Sequence, residues 1–186
     1  MRTPTPIVLD GYGVRLEPLT VAHAPDLLVA AADDDVWRWL PARRPRTEDD
    51  VRELVRTHRG DLAWAVVVGG RAQGSTSYLD VDRSVSGLEI GWTWYARSLW
   101  ATHVNPACKQ LLLSHAFDDL GAQRVTLKTD ARNSRSQSAI RRLGARYDGT
   151  LRHDRLRADG SVRDTAYFSI LAGEWPEVRE GLQSRL

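Results

Sequence analysis

Apolar and polar positions alternate along residues 12–19, and that two-residue period predicts a first strand. Thr20 stands where a helix cap belongs and opens a helix to about Ala32. Thr47 with Asp50 three residues on predicts a capping box, Asp replacing the usual Glu or Gln, and a helix to about His58. Between these helices, residues 33–41 read as a loop carrying Trp37 and Trp39. Residues 63–68 form a continuous apolar run suited to a buried strand. Gly69-Gly70 is a hairpin turn, and residues 72–81 return as the next strand. A turn near Ser84 leads into a third strand of this set, residues 88–95.

The period then changes. Asn105-Pro106 predicts a helix start, with Asn as cap and Pro in the first helical position. Leu112, Leu113, Ala116, Phe117 and Leu120 follow at helical spacing, and Gly121 ends the run. Arg124 to Asp130 alternates as a strand, and residues 134–143 form a helix stopped by Gly144. Two strands, residues 146–156 and 163–171, are joined by an Asp159-Gly160 turn, and a helix over residues 174–186 closes the chain. The order predicts an α+β fold: a mixed, mostly antiparallel sheet of about seven strands flanked by helices. Residues 88–95 and 124–130 should form a parallel βαβ crossover.

With 186 residues and no repeat or Gly/Ser linker, the chain reads as one domain, residues 1–186. Hydrophobic residues at 42% and charged residues at 27% exclude disorder and fibrous repeats. The single cysteine, Cys108, excludes an internal disulfide framework and a multi-cysteine zinc site, so a reducing, cytoplasmic compartment is expected. No apolar run is long enough for a membrane span or a signal peptide. No metal-ligand spacing occurs, so no metal is expected, and His115, set among apolar helix residues, reads as a packed histidine.

The formal charge of +2 leaves no nucleic-acid footprint. Only Lys109 and Lys128 of the 26 basic residues are lysines. Arginine suits phosphate and carboxylate recognition, but codon bias in a GC-rich genome explains the same excess.

No P-loop, nucleophile elbow or dinucleotide glycine motif is present. One arrangement remains: a strand ending at Tyr95, a proline-free loop, and a helix opening at Asn105. Helix-start amides and the positive end of the dipole suit a phosphate. An ordinary strand-to-helix connection fits the same residues.

A resemblance adds to this. Glu89-Ile90-Gly91-Trp92-Thr93-Trp94, Trp100-Ala101-Thr102-His103-Val104-Asn105-Pro106 and Leu111-Leu112-Leu113-Ser114-His115-Ala116-Phe117 resemble the acetyl-CoA half of the GNAT acyltransferases. So do Arg124-Val125-Thr126-Leu127-Lys128-Thr129-Asp130, Asn133-Ser134-Arg135-Ser136 and Ala139-Ile140-Arg141-Arg142-Leu143-Gly144-Ala145. The branch most similar is the RimJ/RimL-like one, which includes ribosomal-protein N-terminal acetyltransferases. The likeness runs from Tyr12 to Trp175 and is most specific between Glu89 and Gly149.

The resemblance implies an acetyl-CoA-dependent N-acetyltransferase acting by direct attack of a primary amine on the thioester. It implies cofactor contacts from Trp92, Thr93, Trp94, Trp100, Ala101, Thr102, His103, Val104, Asn105, Asn133 and Ser136. Glu89 stands where members place a general base, although the outward side of an alternating strand explains it equally. A backbone N–H freed by a splay or bulge after Gly91 would serve an oxyanion hole. Ser136 stands where the branch carries a serine and is the candidate acid for the departing thiolate. Asn133 is a pantetheine ligand, a helix cap, or both. Trp37, Trp39 and Glu89 are the expected acceptor contacts, with Asp33, Asp34 and Asp35 attracting an ammonium. A solvated acidic helix end, with the two tryptophans split between core and surface, fits the same residues.

The chain also departs from the family pattern. The family's phosphate loop, Gln/Arg-x-x-Gly-x-Gly/Ala, falls here on Trp100, His103 and Asn105, and a common tyrosine acid is replaced by Ile140. Those departures keep open a catalytically inactive acyl-CoA-binding module, and an arginine-rich nucleic-acid binder is a further alternative. Cys108 reads as a small buried hydrophobe. No membrane partner is expected, and a homodimer is left open.

Overall fold

Two residues at the tip of the first hairpin adopt left-handed backbone, Tyr12 at φ 56° and Gly13 at φ 72°. That geometry closes a tight two-residue turn between β1 (Leu9–Gly11) and β2 (Val14–Pro18). The single strand expected over residues 12–19 is therefore the second arm of a hairpin, and among the described residues the sheet has eight strands rather than about seven. The computed structural model describes residues 1–58 and 60–186.

After Thr20 a 3-10 turn runs into α1 (Ala24–Ala30). Residues 33–41 are not all loop. Asp33 accepts a hydrogen bond from the Asp35 amide at 2.9 Å and caps a single helical turn, α2 (Asp34–Trp37). The Thr47–Asp50 box forms as expected and opens α3 (Glu48–Arg56): Thr47 Oγ1 accepts from the Asp50 amide, and Asp50 from the Thr47 amide.

β3 (Leu62–Val68) and β4 (Arg71–Asp82) flank the Gly69-Gly70 turn, and β5 (Gly87–Tyr95) follows. Next come α4 (Val104–Ser114), β6 (Arg124–Asp130), α5 (Ser134–Arg142), β7 (Arg146–Leu156), β8 (Val162–Leu171) and α6 (Trp175–Gln183). The strands lie in the order β1-β2-β3-β4-β5-β6-β8-β7, all antiparallel except for β5 beside β6. The two strands expected to form the crossover are thus the one parallel pair among the described residues.

Two apolar clusters cover the two faces. Leu112 and Leu113 of α4, Ile140 of α5 and Leu182 of α6 pack with Leu88 and Ile90 of β5. Leu27 of α1, Trp37 of α2 and Val51 of α3 pack with Trp94 of β5. Among the described residues no helix is long and apolar enough to cross a membrane.

Candidate active site

β5 is where the site begins. Its parallel pairing with β6 covers only Gly87–Arg124, Leu88–Val125 and Glu89–Thr126, while β6 continues pairing with β8 to Asp130. Beyond Glu89 the two neighbours no longer pair, and the gap between their ends is the candidate cofactor cleft. On its other edge β5 carries a bulge, because Gly91 lies opposite Ser77 and Trp94 opposite Ser75. Trp92 adopts φ 48° there.

The bulge reverses which side chains face which layer. Ile90 and Tyr95 are five positions apart, an odd interval, yet both join the α4 cluster. Trp94 instead faces α1–α3, its ring 5.1 Å from that of Trp37.

Glu89 is buried near the end of the paired stretch, and Lys128 Nζ lies 2.7 Å from Oε2. Lys128 also holds Asp80 at 2.9 Å. Burial raises the Glu89 pKa above the ordinary carboxylate value, although Lys128 opposes it. For Lys128 burial works against the charge, and the bonds to Glu89 and Asp80 outweigh it, so its pKa is raised. The result is a dehydrated carboxylate, more basic than a surface one, at the mouth of the cleft.

Past β5 the chain makes a 3-10 turn at residues 97–99 and enters α4. Asn105 is not the cap that the sequence suggests. The helix starts at Val104 with His103 in the cap position, so Pro106 falls in its third position. The Asn105 side chain instead accepts a hydrogen bond from the Tyr95 hydroxyl at 3.1 Å.

Left-handed backbone falls on Ala101, φ 61°, whereas His103 is helical at φ −67°. Losing glycines at His103 and Asn105 therefore costs no backbone strain. Thr102 accepts from the Val104 amide, and the first full helical bond runs from the Ala107 amide to His103 oxygen. The amides of His103 and Asn105 stand ahead of that bond and are available to an anion.

Trp100 anchors the loop by donating from Nε1 to the Tyr95 carbonyl at 3.2 Å. Two guanidinium carbons flank its ring, Arg97 at 4.2 Å and Arg135 at 3.3 Å from the centroid. Burial, then the neighbouring Arg97, lowers the Arg135 pKa. Sequence reading does not single out either arginine, because both disappear among so many others.

Across the cleft Asn133 caps α5, its Oδ1 accepting from the Ser136 amide at 3.1 Å. Ser136 is half-buried, one helical turn ahead of Ile140, which is committed to the core. Thr93 Oγ1 lies 2.8 Å from Thr76 Oγ1 and accepts from Lys109 Nζ at 3.1 Å.

Several expectations change. The Trp37 ring belongs to the core, its Nε1 donating to the Ala31 carbonyl at 3.0 Å, so it offers no face to an acceptor. Trp94 is likewise buried, and only its backbone remains for a cofactor. Trp39 lies under Arg132, whose guanidinium carbon is 5.7 Å from the ring centroid, which sets it beside the loop leading to Asn133. Asp34 pairs with Arg44 and Arg46, and Asp33 lies 3.9 Å from Arg97, so arginines already neutralise much of that acidic run. Cys108 is buried, with its thiol pKa pushed up to about 11 by burial, which makes it inert.

A bulged strand parting from its parallel neighbour, with backbone amides and guanidiniums beyond it, suits a long, phosphorylated ligand. Comparisons agree. A family model described as an acetyltransferase (GNAT) domain matches residues 14–146. The Bacillus subtilis (strain 168) protein provisionally named ribosomal N-acetyltransferase YdaF is 27% identical over 168 residues, 86% of this chain and 90% of its own. A crystal structure provisionally described as an acetyltransferase, from T. thermophilus, has a TM-score of 0.91 at 37% identity and 99% coverage of both chains. Mycobacterium smegmatis RimJ, solved in complex with CoA-disulfide, has a TM-score of 0.81 at 21% identity, covering 99% of this chain and 97% of that one, and speaks for the fold.

The chain belongs to the GNAT acetyltransferase family. It is an acyltransferase that uses acetyl-CoA, and the inactive-module and nucleic-acid alternatives are not favoured.

Proposed function

We propose that the protein acetylates a primary amine, a peptide N-terminus or a small molecule, by direct attack on the acetyl-CoA thioester. The observation that carries this reading is the buried Glu89 carboxylate, with its raised pKa, where β5 and β6 part. An acceptor ammonium gives its proton to Glu89, directly or through water, and the freed lone pair attacks the thioester carbon. Negative charge gathers on the carbonyl oxygen, and a backbone N–H of the Trp92–Thr93 bulge donates to it. The intermediate loses a proton from nitrogen to water and collapses with cleavage of the carbon–sulfur bond, the electron pair leaving on sulfur as the CoA thiolate. Ser136 protonates the thiolate and is reprotonated from water.

Asn133 holds the pantetheine arm while capping α5. The amides at His103 and Asn105, aided by Trp100, Ala101, Thr102 and Val104 of the same turn, take the pyrophosphate, with Arg97 and Arg135 adding positive charge. Trp39 and Glu89 meet the acceptor.

The provisional name of the B. subtilis relative favours a protein N-terminus as that acceptor. A buried free thiol and the use of acetyl-CoA favour the cytoplasm. The outermost strand, β7, exposes Tyr147, Leu151 and Leu156, which favours a homodimer.

The test is a screen of primary amines and short peptides for CoA release, with calorimetry against CoA. Activity on at least one amine supports the reading. No release with any amine, by a protein that binds CoA, refutes it.

A further inference from the structure

Lys109 and Lys128 are the only lysines among 26 basic residues, and both lie at this site. Elsewhere in the chain every fixed positive side-chain charge is carried by arginine. An ammonium differs from a guanidinium in being compact, so it fits a narrow buried position that a planar fork does not. Lys128 is accounted for by Glu89 and Asp80. Lys109 is not.

Lys109 rises from the second turn of α4 and is 5% exposed. Among the described residues it has no carboxylate within ion-pair distance, and its hydrogen-bond partner is Thr93 Oγ1 at 3.1 Å. A buried ammonium without a counter-charge is costly, and an apolar side chain of similar length would fill the space more favourably. Stability therefore does not explain it.

Its position does. Thr93 is part of the β5 bulge, and its hydroxyl also meets Thr76 Oγ1 at 2.8 Å and the Gly91 carbonyl at 3.4 Å. Those contacts grip the strand on both sides of Trp92, whose left-handed backbone persists only if its surroundings hold it. Lys109 supplies one of those holds and puts a full positive charge behind the bulge, in surroundings of low dielectric.

We infer that Lys109 is a positioning residue for acetyl transfer: through Thr93 it fixes the bulge, and its charge favours negative charge on the thioester oxygen that the bulge faces. The inference rests on the proposed role of the bulge amide.

The test uses acetyl-CoA labelled with carbon-13 at the carbonyl, Lys109→Met, Thr93→Val and the double variant. Infrared difference spectra of the bound thioester report polarisation of the carbonyl without needing an acceptor. Calorimetry gives the Kd for CoA, and kcat is taken with the best amine from the screen.

The wild type should lower the carbonyl frequency, and Lys109→Met should lose most of that shift and about 10- to 100-fold in kcat, with the Kd for CoA little changed. Thr93→Val, which keeps the ammonium, should lose a smaller share of the frequency shift and of kcat, and the double variant should be no worse than Lys109→Met alone, because the Thr93 contact runs through Lys109. A frequency shift and kcat retained in Lys109→Met overturn the inference and leave the proposed function standing. No shift in the wild type removes the bulge's role itself, and the inference with it.

Discussion

Replacing Lys109 by methionine should make the protein more stable at neutral pH, not less. Burial lowers the Lys109 pKa from 10.5 to about 8. The folded state thus disfavours the charged form, and between those two values the unfolded chain holds more protons. Wild-type stability must then rise with pH from about 8 to about 10.5, and the penalty is present in full below about 8. At about 1.4 kcal/mol per pKa unit the penalty is about 3 kcal/mol. Methionine keeps the length and volume of the side chain and does not ionise. The lost hydrogen bond to Thr93 returns about 1 kcal/mol, so the net gain is about 2 kcal/mol at pH 7.

Urea unfolding followed by tryptophan fluorescence, at several pH values from about 7 to about 10, measures this directly. The variant's midpoint should lie above the wild type's at pH 7 with the same m-value, and the gap should close as pH rises. Because Lys109 itself lowers the pKa of the neighbouring Cys108 thiol, both proteins are compared in a Cys108→Ala background, and the buried tyrosines cancel in the difference. A variant less stable than wild type at pH 7, or a gap that does not change with pH, refutes the burial argument.

Glu89→Gln should lower kcat/KM by about 100- to 10,000-fold and flatten its rise with pH, while Lys128 keeps Asp80 as a partner and the fold persists; a pH–rate profile checks this. Asn133→Ala should raise the KM for acetyl-CoA and cost about 1 kcal/mol of stability through the lost cap of α5, whereas Ser136→Ala should lower kcat by about 10- to 1,000-fold. Steady-state kinetics with chemical denaturation separates the two. Trp39→Ala should lower kcat/KM for the acceptor with little change in stability, and Trp37→Ala should instead cost about 3–5 kcal/mol of stability, because its ring packs against Trp94; paired melts and kinetics distinguish these.

Much of the architecture is legible along the chain because it is locally encoded. Arg124–Asp130 and Arg146–Leu156 have the expected strand bounds. The Thr47–Asp50 box and the Gly69-Gly70 turn depend on residues a few positions apart, so short-range propensity suffices for them. The resemblance over Glu89–Gly149 likewise points to the cofactor half of the chain. Where long-range packing sets the outcome, local pattern loses its hold. Tyr12 accepts a left-handed turn that its side chain does not favour, because β1 pairs with β2 around it. Trp37 reads as a loop aromatic facing an acceptor until Trp94 meets it, and alternation along β5 cannot reveal that meeting, because the bulge after Gly91 reverses the faces. Lys109 stands out in the composition only as a rarity. Its burial, its lack of a counter-charge among the described residues and its grip on Thr93 arise from α4 packing beneath a bulged strand, contacts between residues far apart in sequence that no local period can encode.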